Sequence, residues 1–545
     1  MINQEKQKNS PSRSIVSPQT QTSHPQKTSS STKILKKIIQ VGGSTLASRL
    51  FGIVREMLFV RYLGASSLSD AFLTAYKIPN SLRKAFAEGA LSAAFIPTAT
   101  VITRNNNTQA IAGLMSLTFL IFEGIVLAVC FFVIMYAQTI IEYIAPGFTQ
   151  EQITAATSML HILMPFIVFI SSSALLGGAL QSIGKFFIPA IAQVFTNIIV
   201  IAGIACALWF QLPINYLCWT IILSGCVHFT LHVIAYFRAG FSFGKVKHED
   251  LRLAMGIMGK FLLCLPSISL MEVALFIDTS FASHLPAGSI SLISYANRFV
   301  GIPLGAFAVA FSTILLPHFS RVNTYSPKRL HFYLLEATKF IFWVTIPITA
   351  LMAFFSQEIF STIFLSEKFT LVHVKQASGI LCALLPGLFF LSLNKILLSI
   401  FYSMHAAWIT AIVALVTTAI NVMLNILLID RFQAAGLVFA TAVSSMIQTV
   451  LFLIILKKKY NFRMYAVPFL SFATRYLMQL GLCGCLFLGL YSLSNYIITS
   501  YMPTAIALFF TAKIGLWVWV GPLSVALLAL LYYTRNIFRI QLHFF

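Results

Sequence analysis

Arginine and lysine recur inside stretches that are otherwise apolar, and their types and spacing limit the chemistry on offer. One stretch carries Arg49, Arg55 and Glu56. The next opens at Asp70 and runs through Lys77, Arg83, Lys84 and Glu88; later ones carry Glu272, Asp278 and Arg298. A guanidinium at mid-membrane costs at least ~2.5–3.5 kcal/mol, so such groups face water, a partner or a ligand. Arg49 and Glu56 are seven apart and share nearly one helix face. Lys77 and Lys84 are long enough to snorkel, and Asp70 is placed to cap a helix. Set against Glu56 and Glu88, the arginines Arg49, Arg55, Arg83 and Arg298 leave a positive surplus. A surplus of guanidinium groups needs an anion, and phosphate suits it because the guanidinium fork meets phosphate oxygens in pairs.

Other chemistries find no footing. There is no P-loop, no GxSxG and no convincing metal motif. Fifteen Asp and Glu are scattered along the chain, so a membrane enzyme using clustered acids and a metal is excluded. His228 and His232 stand i,i+4 without a third ligand and read as core or cavity histidines. The eight Cys lie in or beside apolar stretches without zinc or redox spacing and read as packing residues. No catalytic residue is assigned. A scaffold without transport would have no use for arginines this costly to bury.

The elements that must hold these charges are membrane helices. Apolar residues make up 58% of the 545 and charged residues 10%, against about 45–50% and 25% in soluble domains. Fourteen stretches are long enough to span: 34–62, 71–102, 113–139, 153–182, 186–209, 214–237, 255–284, 288–320, 332–355, 371–402, 407–429, 433–456, 466–496 and 504–534. The chain carries 37 Lys and Arg against 15 Asp and Glu, a net +22, concentrated in alternate loops. Lys368 and Arg431 are the main exceptions. That alternation predicts an even span count with both termini cytoplasmic, and no nucleic-acid surface. Residues 1–33, rich in Ser, Thr, Gln, Pro and Lys, read as a disordered basic cytoplasmic tail and not as a cleavable signal peptide.

A weak repeat divides the remainder. Ile78-Pro79 and Ile96-Pro97 in the second span find counterparts in Ile302-Pro303 and Leu316-Pro317 in the eighth, with spacings of 18 and 14 residues, one helical turn apart. The reading is an all-α polytopic membrane protein of two pseudo-symmetric six-helix lobes, 34–240 and 253–458. A helix pair at 464–535 and a cytoplasmic C-terminus at 536–545 complete it.

Arg49-Leu50-Phe51-Gly52-Ile53-Val54-Arg55-Glu56, Asp70-Ala71-Phe72, Lys77 through Lys84, Phe86 through Ala90, Ala94-Phe95-Ile96-Pro97 and Tyr295-Ala296-Asn297-Arg298 resemble the MurJ (MviN) lipid II flippases of the MOP exporter superfamily. The resemblance implies fourteen helices and a bacterial inner-membrane transporter for peptidoglycan biosynthesis, cell-wall biogenesis and cell shape. It implies transfer of lipid II from inner to outer leaflet by alternating access. Arg49, Arg55, Asp70, Arg83, Glu88 and Arg298 then form the substrate-binding set, with the arginines on the pyrophosphate. Asn297 stands where the family often has an acid, which leaves Arg298 less neutralised. Asp278, Asn421, Asn425 and Thr441 are similar to a sodium site proposed in the family, and their hard oxygens suit a small alkali cation. The second asparagine replaces an acid expected there. Na⁺ is the one coupling ion the resemblance implies, and no other cofactor is expected. The expected partners are lipid II and membrane lipids, with the chain acting as a monomer near the cell-wall synthesis machinery. The alternative is another member of the superfamily, exporting a different lipid-linked oligosaccharide or drugs.

Overall fold

Backbone amides in hydrocarbon have no water to bond and must bond one another. Every regular element among the described residues is accordingly helical. The computed structural model describes residues 51–103, 108–309, 311–312, 315, 319, 327–404, 406–463, 465–504, 509–510 and 513–541, and within these leaves aside the side chains of 87–90, 92–93, 264, 266–271, 327–328, 407 and 513–514. The tail 1–33 and Arg49 lie outside the described residues.

The first lobe holds α1 (51–63), α2 (Ser67–Arg83), α3 (Ala90–Ile102), α4 (Ala112–Met135), α5 (Ala137–Ile144), α6 (Gln150–Leu163), α7 (Phe166–Ser182), α8 (Phe187–Trp209) and α9 (Ile214–Arg238). The second holds α10 (His248–Ser283), α11 (Ser289–Pro303), α12 (Pro327–Phe354), α13 (Ser356–Phe364), α14 (Leu371–Leu384), α15 (Leu388–Ser403) and α16 (Ala407–Tyr460). A pair, α17 (Ala466–Tyr501) and α18 (Lys513–Thr534), packs on α12 and α13. Tyr476 Oη donates to Trp343 O at 2.6 Å and Trp517 Nε1 to Thr362 Oγ1 at 2.9 Å, which ties that pair to the lobe.

Among the described residues ten helical segments are long and apolar enough to cross a membrane. The expected spans 34–62, 71–102 and 255–284 are helical wherever described, yet are not among those ten. These three carry Arg55, Glu56, Lys77, Lys84, Glu272 and Asp278.

Breaks interrupt several of the expected spans. The span 153–182 breaks at Pro165 between α6 and α7, and 371–402 breaks at Leu385–Gly387 between α14 and α15. Helix α16 runs for 54 residues but reverses at Gln433, whose φ of 47° and ψ of −132° are non-helical. Twenty residues of straight helix would separate Asn421 from Thr441 by about 30 Å; instead Asn421 Nδ2 lies 3.5 Å from Thr441 Oγ1. The break falls at the first residue of the expected span 433–456, just past the gap 430–432 that separates it from 407–429.

Helices α2 and α11 share a further device. Each runs on into a six-residue π turn, Lys84–Gly89 after α2 and Leu304–Val309 after α11. Both turns begin 13 residues before the second proline of their copy, Pro97 and Pro317. The one-turn mismatch between the proline spacings therefore lies on the N-terminal side of the π turns.

The lobes meet closely at one end. Gly64 and Gly288 adopt φ of +66° and +92° there. A Cβ on Gly64 would strike the Lys368 carbonyl, and one on Gly288 would lie 2.8 Å from Ala65 O, so both positions need glycine twice over. Tyr295 Oη donates to Gly64 O at 2.8 Å and lies 3.1 Å from Ser69 Oγ.

Candidate functional site

A cavity of about 780 Å³ opens between the lobes. Its charged lining comes from α1 (Arg55, Glu56), α2 with its π turn (Lys77, Lys84), α10 (Glu272, Asp278) and α11 (Arg298). Among the described residues four cations thus face three carboxylates across it, two of the cations being lysines and not the arginines of the sequence count.

Glu56 is the centre of one group. Its Oε1 accepts from Arg55 Nη2 at 2.9 Å and lies 3.3 Å from Arg298 Nη2. One carboxylate therefore holds guanidinium groups from both lobes. Arg55 Nη1 also donates to Asn197 Oδ1 of α8 at 3.0 Å, which pins it to its own lobe. The Arg298 side chain stays 50% exposed, against 25% for Arg55, so Arg298 keeps donors free for a guest. Asn297 also lines the cavity, and the carboxylate next to Arg298 comes from α1 instead of from its own helix.

A second group forms a seam between α2 and α10. Lys84 Nζ lies 2.8 Å from Glu272 Oε1, and Ser81 Oγ donates to Glu272 Oε2 at 2.5 Å. Lys77 Nζ donates to Thr279 Oγ1. Residues 77, 81 and 84 recur at helical spacing, as do 272 and 279, so one stripe of each helix faces the other. Lys77 and Lys84 do not snorkel; they point into the protein across the lobes. The i, i+4, i+7 pattern of these polar residues was the available signal for this seam.

The other expected site residues are placed differently. Asp70 is 3% exposed and does not line the cavity. It accepts from the Gly288 and Ser291 backbone N–H groups at 2.7 and 2.8 Å and from Ser291 Oγ at 2.5 Å, so it caps the N-terminus of α11. Its own helix is capped by Ser66. Arg83 Nε donates to Asn80 Oδ1 at 3.1 Å and is not among the residues lining the cavity. Glu88 lies in the first π turn, and its side chain, like all of Arg49, lies outside the described set.

Asp278, Asn421, Asn425 and Thr441 do come together. Asn425 Nδ2 lies 3.2 Å from both Asp278 Oδ1 and Asn421 Oδ1. Turned over, the Asn421 amide would exchange these contacts for others, its nitrogen 3.1 Å from Asp278 Oδ1 and its oxygen 3.3 Å from the Thr441 N–H. Asn425 Oδ1 is buried and has no hydrogen-bond partner. Asp278 and Thr441 also line the cavity, so the cluster borders it.

His228 and His232 stack at 4.8 Å within the first lobe, bonded to Thr196 Oγ1 and to the His228 carbonyl. Among the described residues no group of three or more His, Cys, Asp or Glu could hold a metal. Sequence reasoning also passed over Glu123, a buried acid in α4 whose two oxygens lie 2.7 and 2.8 Å from Ser171 Oγ.

The family described as "Lipid II flippase MurJ" matches residues 59–508. A probable lipid II flippase MurJ of Buchnera aphidicola subsp. Schizaphis graminum is 30% identical over 514 residues, 93% of this chain and 99% of that protein. The lipid II flippase MurJ of Burkholderia cenocepacia is 28% identical over 440 residues, 78% of this chain and 84% of that protein. Among solved structures, a lipid II flippase MurJ in an inward closed conformation superposes with a TM-score of 0.72 at 22% identity, covering 92% of this chain and 99% of that one. An inward-facing multidrug MATE transporter of the MOP superfamily gives 0.62 at 13% identity, over 77% of this chain and 96% of that one.

Proposed function

The chain belongs to the MurJ lipid II flippase family, and from that premise we propose that its interlobe cavity binds the pyrophosphate of lipid II and exposes it alternately to the two leaflets. It is a multi-pass membrane transporter serving peptidoglycan biosynthesis, not an enzyme. The observation that carries the cavity reading is Glu56 held between Arg55 and Arg298. One carboxylate between two guanidinium groups is a stand-in that a doubly charged pyrophosphate outcompetes, offering more oxygens to each fork. Binding of the anion then draws on both lobes at once, which couples occupancy to their rocking. The isoprenoid tail stays in lipid while the polar head crosses in the cavity, which spares each head-group dipole a desolvation cost of several kcal/mol.

The loop charges support an orientation with both termini cytoplasmic. The closed end, where residues 62–70 meet 288–295, then faces outward and the cavity serves the cytoplasmic leaflet. Outward movement of two negative charges would gain about 4.6 kcal/mol per 100 mV of membrane potential, negative inside.

A sodium ion fits the Asp278 cluster on chemical grounds. The carboxylate, the orphaned Asn425 Oδ1, Asn421 and the Thr441 hydroxyl are hard oxygen donors beside the cavity. Bound there, the ion would supply positive charge to Asp278 and favour the lobe arrangement that brings these residues together.

The experiment is depletion of the resident flippase in a bacterium expressing this chain, with lipid II at the outer leaflet as the readout. Rescue is expected, and loss of rescue with Arg55→Ala or Arg298→Ala at normal membrane levels. Normal transport in both variants would overturn the pyrophosphate cradle, and no rescue by well-expressed wild type would overturn the substrate.

A further inference from the structure

Lys77 and Lys84 stand seven residues apart on one stripe of α2 and are treated differently by the fold. Lys84 has its own carboxylate, Glu272, at 2.8 Å. Lys77 has none: among the described residues its one hydrogen bond goes to Thr279 Oγ1, the neighbour of Asp278. Thr279 spends its own proton on Leu275 O at 2.7 Å, so it meets Lys77 as an acceptor. An ammonium has three donors, and Lys77 therefore retains two while lining the cavity. Asp278, the residue before that threonine, lines the same cavity as Lys77, and no ion pair joins them among the described residues. Asp278 spends its carboxylate instead on the Asn425 amide at 3.2 Å. A lysine of one lobe and a carboxylate of the other are thus held near each other without pairing, beside an acceptor, Asn425 Oδ1, that nothing satisfies.

We propose that Lys77 couples the cation cluster to the substrate cavity by competing with an alkali cation for Asp278. Without the cation, the ammonium balances Asp278. With it, the carboxylate is balanced by the ion, and Lys77 turns its free donors to the phosphate in the cavity as a point charge. Lysine and cation oppose each other at Asp278, while cation and phosphate assist each other through Lys77. The linkage is reciprocal, so whatever Lys77 does to cation affinity the cation does to Lys77. The inference rests on the reading of Asp278, Asn421, Asn425 and Thr441 as a sodium site.

The test measures ²²Na⁺ binding to the purified full chain at constant ionic strength in choline chloride, with inorganic pyrophosphate as a second probe. Wild type is expected to bind Na⁺, and Asp278→Asn to lose it. Lys77→Gln is expected to bind Na⁺ roughly tenfold more tightly, and Lys77→Arg, which keeps the charge, to match wild type. Pyrophosphate binding should rise with Na⁺ in wild type and ignore Na⁺ in Lys77→Gln. Wild-type Na⁺ affinity in a folded Lys77→Gln protein overturns the competition while leaving the sodium site standing. If Lys77→Gln does not fold, a Lys77→Met protein is held to the same criterion. Absence of Na⁺ binding in wild type and in Lys77 variants alike overturns the sodium site and the coupling together.

Discussion

Asp70 and Lys368 each seat a charge on the end of a helix that belongs to the opposite lobe. The Asp70 carboxylate caps the N-terminus of α11, and Lys368 Nζ donates at 2.8 Å to Tyr62 O, at the C-terminal end of α1. The two signs match the two helix dipoles, so both contacts favour closure of this end. Lys368 also lies 5.5 Å from the centre of the Tyr62 ring.

Loosening this clasp should favour the state open at that end. Lys368→Ala removes a helix-end charge contact of about 0.3–1 kcal/mol, up to ~2 kcal/mol where partly buried. Asp70→Asn should do more, because charge-assisted bonds contribute about 1.5–3 kcal/mol each. Spin labels on Leu68 and His284, in a background without cysteines, report the opening as a longer distance population. Unchanged distances in both variants would remove the clasp from the transport cycle.

Arg298 and Arg83 should separate in mechanism. Arg298→Lys keeps the charge but loses the fork, and is expected to lower transport about tenfold or more. Arg83→Ala should also impair transport, but without changing pyrophosphate affinity in the state described here, since Arg83 lies off the cavity wall. Titration of inorganic pyrophosphate against each purified variant makes the comparison.

The seam between α2 and α10 predicts a stability pattern. Glu272→Ala strands Lys84 and exposes Ser81 to an empty site. Since Lys84 is about a third exposed, solvent screening limits the loss to about 1–3 kcal/mol. Glu272→Ala with Lys84→Met should recover part of it, because no charge is then left unpaired. Thermal unfolding in detergent of the two singles and the double decides whether the pair is coupled.

Glu123 should tolerate loss of charge but not reversal. Its partner Ser171 Oγ finds an acceptor in the amide oxygen of Glu123→Gln, so membrane level and transport should stay near wild type. Glu123→Lys places an ammonium against the same hydroxyl in the core of the lobe and should abolish accumulation of the protein. Loss of transport by well-folded Glu123→Gln would show that the carboxylate does more than join α4 to α7.

Much of the frame was legible because hydrocarbon leaves the backbone few choices. Apolar runs marked the helices, and the gap 430–432 between two of them lies next to the reversal at Gln433. The i,i+4 asparagines with Asp278 and Thr441 pointed to one cluster, and the fold brings the four together. What sequence could not supply was rotation about each helix axis and pairing between distant helices. Asp70 reads as a charged residue beside a cavity until α11 is seen to end against it. Lys368, out of place among neutral loops, is explained only by a carbonyl 306 positions away in the chain. Arg83 and Lys84 are adjacent in sequence, yet only one of them faces the cavity.

That last pair gives the π turn a further meaning. A π turn is an α-helix carrying one surplus residue, and the surplus can travel like a dislocation in a crystal without unravelling the rod. The first turn begins at Lys84, next to Arg83. Moving the surplus past this point would rotate the neighbouring residues by about 100° and would turn Arg83 toward the cavity in place of Lys84. The helix would then work as a selector between a lysine and an arginine. Removing Ala85 would freeze it in one setting, and pyrophosphate affinity in that deletion variant would read which residue had been chosen.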